Sequence, residues 1–316
     1  MSDSTSVRVS APGKVNIALR VGAPRPDGFH PLDTIFEALD VRDDVVATLA
    51  PDLSMSITGL GEDLPVDESN LVIRAGRMLQ ERFGDRSALG LSPAELGAHL
   101  DVTKRIPVAG GMAGGSADAA ATLVALNELW QLGLSHEELH ECAAELGSDV
   151  PFSLLGGVAH GTGRGELLEP IECSQVHGWV MLLNPVGLST PQVFREFDAL
   201  GLGTAGIPNT ADVRTVLTSD SADYRASMRH VMANDLEDAA RSLRPDVAQI
   251  INTIRAHISI GALGAHVVIL SGSGPTVAVL ADPQNLPLLA DQLARLFPDL
   301  TPVIATGPAR GAYRVE

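Results

Sequence analysis

The sequence is short of cysteine, of lysine and of aromatic residues, and each shortage excludes something. Cys142 and Cys173 are the only cysteines in 316 residues and lack metal-ligand spacing, so neither a disulfide scaffold nor a zinc cluster is expected. No run approaches the ~18 consecutive apolar residues that a membrane span needs. The first six residues carry neither positive charge nor an apolar stretch, and a cytoplasmic location is the expectation. The formal net charge of -17 argues against nucleic acid and anionic membranes as partners, since both require a broad cationic surface. An anionic ligand must therefore be drawn by local groups. Among 22 basic residues only Lys14 and Lys104 are lysines, and each lies beside a motif described below. A general bias toward arginine accounts for the scarcity equally well.

What is present is enough apolar material, 45% of the chain, for a sizeable core, and the length favours two domains. The first hundred residues read as strands at Ser6–Ser10, Val15–Val21, Leu32–Leu39, Val45–Leu49 and Met55–Thr58, separated by turn clusters. A helix over about 70–83, a strand at about 98–103 and a second, amphipathic helix behind Gly110–Gly115 follow, with Gly133 as a left-handed stop. Ser135 and Glu138 form a capping-box signature for a further helix that Gly147 ends. The second half predicts strands at Trp179–Leu183, His266–Leu270, Thr276–Leu280 and Pro302–Thr306, with helices between them, one over Pro287–Phe297. That is a split β-α-β-β-α-β pattern. The domains are expected to be residues 1–175 and 176–316, with the stretch Gly201–Asn209 as an excursion inside the second.

The strongest chemical signal is Pro107-Val108-Ala109-Gly110-Gly111-Met112-Ala113-Gly114-Gly115-Ser116-Ala117, joining a strand to a helix. Small residues let backbone approach a ligand, and the free N–H groups and dipole of a helix start suit an anion such as a triphosphate. Ser116 is placed to cap that helix or to reach a phosphate or its magnesium ion, and Lys104 adds a nearby positive charge. The loop is neither a Walker A sequence nor a dinucleotide fingerprint. Taken alone it also fits a tight strand-to-helix turn with no ligand.

Three segments together carry a resemblance: Ala11-Pro12-Gly13-Lys14-Val15-Asn16, the glycine-rich loop, and Leu270-Ser271-Gly272-Ser273-Gly274-Pro275. In order and spacing they resemble the galactokinase, homoserine kinase, mevalonate kinase superfamily. Within it, Arg25-Pro26-Asp27-Gly28-Phe29-His30-Pro31-Leu32 and Gly147-Ser148-Asp149-Val150-Pro151-Phe152 resemble the diphosphocytidyl-methylerythritol kinases. The resemblance covers nearly the whole chain. It implies an α+β fold with an N-terminal domain like domain 2 of ribosomal protein S5 and a ferredoxin-like C-terminal domain. It further implies an ATP-dependent kinase that phosphorylates the 2-hydroxyl of the cytidine diphosphate-linked methylerythritol, in the non-mevalonate route to isoprenoid precursors.

By the same resemblance Asp149 is the base that takes the hydroxyl proton, while Lys14 keeps that carboxylate ionised and offsets charge on the γ-phosphate. Asp149, two residues before Pro151, also suits a plain helix cap, and the two roles are compatible. Phe29 corresponds to an aromatic that stacks on cytosine, often tyrosine in the family, with His30 at the base edge and Phe194 on the other face. Phe29 is equally suited to a core position and His30 to a turn. Asn16 and Thr190 correspond to positions at the methylerythritol and phosphate portion; Asn70 and Leu71 correspond to positions near adenine. Gly272, Ser273 and Gly274 form the C-terminal glycine loop. Ala109 and Ala113 stand where many relatives have glycine, so both are expected at negative φ and away from the ligand. Magnesium should accompany ATP, with no carboxylate assigned to it. Oligomeric state is not readable. The rivals are a related kinase, acting on homoserine or mevalonate, and a non-catalytic nucleotide-binding module.

Overall fold

The β-rich runs of the first fifty residues join into two long strands. In a computed structural model that describes residues 6–108, 110–203, 209–219 and 224–316, β1 (Ser6–Val21) and β2 (Leu32–Ala50) pair antiparallel. Pro12-Gly13 reads as a break in the sequence, but the strand continues through it. Pro12 keeps its register with Arg42, and the shift between Pro12 and Gly13 leaves Asp40 and Val41 of β2 outside the pairing. A second shift lies between Asn16 and Ala18. The stretch bounded by these two irregularities holds Lys14 and Asn16.

β3 (Ser54–Gly59) precedes α1 (Leu71–Phe83), and β4 (Gly97–Lys104) then enters between β2 and β3, parallel to β3. Asn70 caps α1 by accepting the Val72 N–H at 3.0 Å. Next come α2 (Gly114–Leu129), α3 (His136–Leu146) and α4 (Val150–Leu155). The alanine-rich α2 is buried on nearly every side, as a helix without a polar face must be. Its end differs from expectation: Gln131 already adopts φ 52°, ahead of Gly133 at 65°. The capping box of Ser135 and Glu138 forms as the sequence predicts. The hairpin β5 (Val158–Thr162) and β6 (Leu167–Ile171) adds to β2. It is absent from the sequence reading, because its glycine-rich turn and Pro170 obscure any strand periodicity; β6 is an edge strand, where proline is tolerated.

The remaining chain begins with β7 (His177–Leu183), α5 (Thr190–Ala199), α6 (Ala211–Leu217), α7 (Tyr224–Val231), β8 (Ala233–Asn234), α8 (Glu237–Leu243) and α9 (Pro245–Ser259). It ends with β9 (Ala265–Leu270), β10 (Val277–Ala281), α10 (Leu286–Leu296), β11 (Thr301–Gly307) and β12 (Tyr313–Val315). Four of these strands form an antiparallel sheet in the order β11-β7-β10-β9, the ferredoxin-like order that the split pattern predicts. Part of the expected excursion, residues 204–208, lies outside the described residues.

β8 and β12 leave the second sheet and pair with β1, so the first sheet holds both ends of the described chain. Leu19 and Val21 of β1 in turn pack into the apolar cluster of the second sheet with Val180, Leu182 and Ile251. Each fully buried side chain of this size contributes roughly 1.5–3 kcal/mol. The two sheets are therefore fastened along β1, the strand that carries Lys14.

Candidate active site

A cleft of about 860 Å³ opens along β1, between the glycine-rich loop, α5 and the C-terminal glycine loop. Lys14, on the β1 floor, is 5% exposed. Its Nζ donates to Asn16 Oδ1 at 2.7 Å, Asn16 Nδ2 donates to Thr34 Oγ1 at 2.8 Å, and that hydroxyl donates to the Ala18 carbonyl at 2.7 Å. This relay fixes the ammonium. The Lys14 amide donates to the Met112 carbonyl at 3.1 Å, tying the strand to the glycine-rich loop. Burial lowers the Lys14 pKa, and the field of Asp149 opposes that shift. Both residues line the cleft.

Asp149 occupies the N-cap position of α4, yet its side chain makes no capping hydrogen bond. Pro151 in the first turn needs no donor satisfied, so the carboxylate is free to serve the cleft. The two roles considered for this aspartate are thereby separated: its backbone occupies the cap and its side chain does not.

The two glycine loops interlock. Gly111 has φ 75°, and a Cβ there would lie 2.1 Å from the Ser271 carbonyl oxygen. Ser271 Oγ donates back to the Gly111 carbonyl at 3.2 Å. A Cβ on Gly272 would sit 3.1 Å from Lys14 Nζ. Asn234 Nδ2 donates to the carbonyls of Leu270 and Gly272 at 2.9 and 2.7 Å, and the hydroxyls of Thr190 and Ser273 are 2.7 Å apart. Segments as distant in the chain as Lys14, Gly111 and Gly272 thus meet around one ammonium. Of the loop residues, Pro107, Val108, Gly110, Gly111, Ala113, Gly114 and Gly115 line the cleft, while Met112 and Ala117 are buried in the core beneath it. Ser116 is half-buried in the first turn of α2. Gly274, at φ 80°, packs against the Leu270 side chain, and Ala109 lies outside the described residues.

Ala113 corrects an expectation. It does not adopt negative φ but sits at φ 60°, ψ 33°, the left-handed region, as the N-cap of α2. The chain must reverse there so that the following amides open α2 toward the cleft, and an alanine in that region costs roughly 1–2 kcal/mol. Lys104 also differs from a free cation. Its Nζ donates to Asp43 Oδ2 at 2.6 Å and to Asp118 Oδ2 at 2.5 Å, with all three side chains buried. Burial works against the ammonium, but the two carboxylates outweigh it and raise the Lys104 pKa. Asp118 is pushed up to about 8, chiefly by burial, with Lys104 opposing and Asp43 adding to the rise.

At one end of the cleft Asn70 and Leu71 line the wall with Leu64, Pro65 and Val108. At the other, Phe29 is 51% exposed, with the Arg164 guanidinium 5.2 Å from its ring centre. His30 is buried and donates from Nδ1 to the Gly22 carbonyl at 2.8 Å. Its Nε2 lies 3.4 Å from Asp198, and its ring is 5.1 Å from that of Phe194. Arg164, Arg195 and Asp198 also line this end. No sequence motif marks them, because a turn and a helix far along the chain bring them to Phe29 and His30. Among the described residues no group of three or more histidine, cysteine, aspartate or glutamate side chains is arranged to hold a metal ion.

Residues 70–157 match the GHMP kinases N terminal domain and residues 221–299 the GHMP kinases C terminal domain. The chain is 46% identical over 312 residues to the 4-diphosphocytidyl-2-C-methyl-D-erythritol kinase of Rhodococcus jostii, covering 97% of this chain and 94% of that one. It is 44% identical to the enzyme of the same name from Mycolicibacterium smegmatis, over 98% and 92% of the two chains. The chain belongs to the 4-diphosphocytidyl-2-C-methyl-D-erythritol kinase family. A crystal structure of 4-(cytidine 5'-diphospho)-2C-methyl-D-erythritol kinase superposes with a TM-score of 0.74 at 29% identity, covering 95% of this chain and 98% of that one. Homoserine kinase from Cytophaga hutchinsonii superposes with a TM-score of 0.70 at 19% identity, covering 100% and 99% of the two chains, and shares the fold. Membership of this kinase family agrees with the two-domain GHMP fold and with the enzymatic reading of the cleft. Among the described residues no helix is long and apolar enough to cross a membrane.

Proposed function

We propose that the protein transfers the γ-phosphate of ATP to the 2-hydroxyl of 4-diphosphocytidyl-2-C-methyl-D-erythritol, giving the 2-phosphate and ADP. The observation that carries this reading is the buried Lys14 ammonium, in the field of Asp149 and beneath two interlocked glycine loops. Family membership supplies the substrate. On this reading the amides of Gly110–Gly115 and the start of α2 receive the triphosphate, with Asn70 and Leu71 toward adenine. Phe29, His30 and Phe194 receive the cytosine, and Asn16 and Thr190 the linking portion.

Asp149 accepts the proton as the substrate oxygen forms its bond to phosphorus. The bond from phosphorus to the ADP oxygen breaks in line, and Lys14 offsets the charge on the transferring group. No covalent enzyme intermediate is required. Magnesium bound with the nucleotide would shield its phosphate charges, and Ser116, in the first turn of α2, is the residue that would reach it. A soluble, nucleotide-linked substrate fits a cytoplasmic location.

The test is ADP release measured with the cytidine-linked substrate against homoserine, mevalonate and other small alcohols. Turnover with the cytidine-linked alcohol, competed by CMP, is expected. Phosphorylation of homoserine with no effect of cytidine nucleotides would reject the substrate.

A further inference from the structure

Three buried charged residues beside the cleft are ones that the phosphoryl-transfer step does not use. Asp43 on β2, Lys104 at the end of β4 and Asp118 in α2 form a chain of ion pairs whose side chains are 0%, 2% and 8% exposed. Asp43 Oδ1 also accepts the amides of Arg105 and Ile106 at 2.5 and 2.7 Å, the residues that lead into the glycine-rich loop. Asp118 lies in the helix that leads out of it. Gly114 leaves room for the contact: a Cβ there would be 3.4 Å from Lys104 Nζ and 3.1 Å from Ile106.

Burying one ammonium with two carboxylates is a poor way to stabilise a fold, because desolvation offsets most of the attraction. The second oxygen of Asp118 has no hydrogen-bond partner at all among the described residues, which adds to that cost. What the arrangement does accomplish is to hold the entrance and the exit of the loop at a set separation.

We propose that Asp43, Lys104 and Asp118 are positioning residues for the nucleotide, a bridge that fixes the spacing of the loop amides that receive the triphosphate. The proposal rests on the nucleotide reading above. It replaces a direct Lys104–phosphate contact with action through the loop backbone.

Two pictures differ in sign. At pH 9, where the measurement is made because the Asp118 pKa is pushed up to about 8, fields alone would have Lys104→Met weaken ATP binding and Asp118→Asn, which then removes a negative charge beside an anion, strengthen it. A bridge requires both to weaken it. ATP affinity is to be measured by calorimetry for wild type, Lys104→Met, Asp118→Asn and the double variant, alongside the KM for the alcohol substrate and the thermal midpoint. Each single variant is expected to raise the ATP Kd by about tenfold, the double variant by no more than either single, and the alcohol KM by less than about twofold. Asp43→Asn, which keeps an acceptor for the two amides, is the milder check should Lys104→Met fail to fold, and an ATP Kd raised at least about threefold is expected of it. Tighter ATP binding by Asp118→Asn, additive effects in the double variant, or equal loss of affinity for ATP and alcohol would overturn the bridge. Failure of the wild-type protein to bind ATP would instead overturn the nucleotide reading.

Discussion

The two ends of the cleft are built differently. At the end lined by the glycine-rich loop the groups are backbone amides and side chains locked by neighbours, and Lys14 is 5% exposed. At the end that carries Phe29 the groups are side chains on turns and on α5, and Phe29 itself is 51% exposed. Charge stabilisation needs donors fixed before the reaction, since reorganising dipoles during transfer would cost back what they contribute. Recognition of a flat ring does not, because stacking tolerates small displacements. On the proposed roles the contrast divides the labour: one end sets the rate and the other sets which alcohol is phosphorylated.

That division can be broken most sharply at Lys14 and Asp149. Alanine at either is expected to lower kcat by about 10³-fold, while calorimetric ATP affinity stays close to wild type because the loop amides remain. Full turnover in either variant would end the assignment of chemistry to this end. A smaller effect is expected of Phe29→Ala, a loss of roughly 1–3 kcal/mol in substrate binding, read as a raised KM with little change in kcat. If kcat fell instead and KM held, the two ends would not be separable in this way. The smallest effect sharpens the comparison from the stability side. Ala113→Gly removes the left-handed strain and is expected to raise unfolding free energy by about 1 kcal/mol in denaturant titration. No gain would mean that the loop holds no such strain.

The same contrast explains what the sequence makes legible. The glycine-rich loop, the Lys14 segment and the Asp149 segment are visible because a backbone-built site demands particular small or cyclic residues at fixed neighbouring positions. Elements with strong periodicity, such as α1, α10 and the strands of the second sheet, are visible for the analogous reason that packing repeats along the chain. Arg164 and Asp198 are not visible, since their relation to Phe29 and His30 exists only after β5–β6 and α5 have docked. Nor is the pairing of Lys104 with Asp43 and Asp118, which turns a candidate ligand for phosphate into an already neutralised charge. Ala113 is misread because the sequence offers a glycine-rich neighbourhood without saying which residue takes the reversal. The fused strand β1 is misread because Pro12-Gly13 looks like a turn, whereas the chain stays extended there and β2 takes up the irregularity.

The interlocking of Gly111 with Ser271, and of Gly272 with Lys14, bears on how the protein is made. A nascent chain presents Lys14, the glycine-rich loop and Asp149 to solvent long before residue 272 has been synthesised. Until that last segment leaves the ribosome and threads between them, the ammonium has an open flank where the finished enzyme has backbone. On the proposed roles, termination between Asp149 and Gly272 yields a product that holds both reacting side chains and lacks the turn that closes over the ammonium.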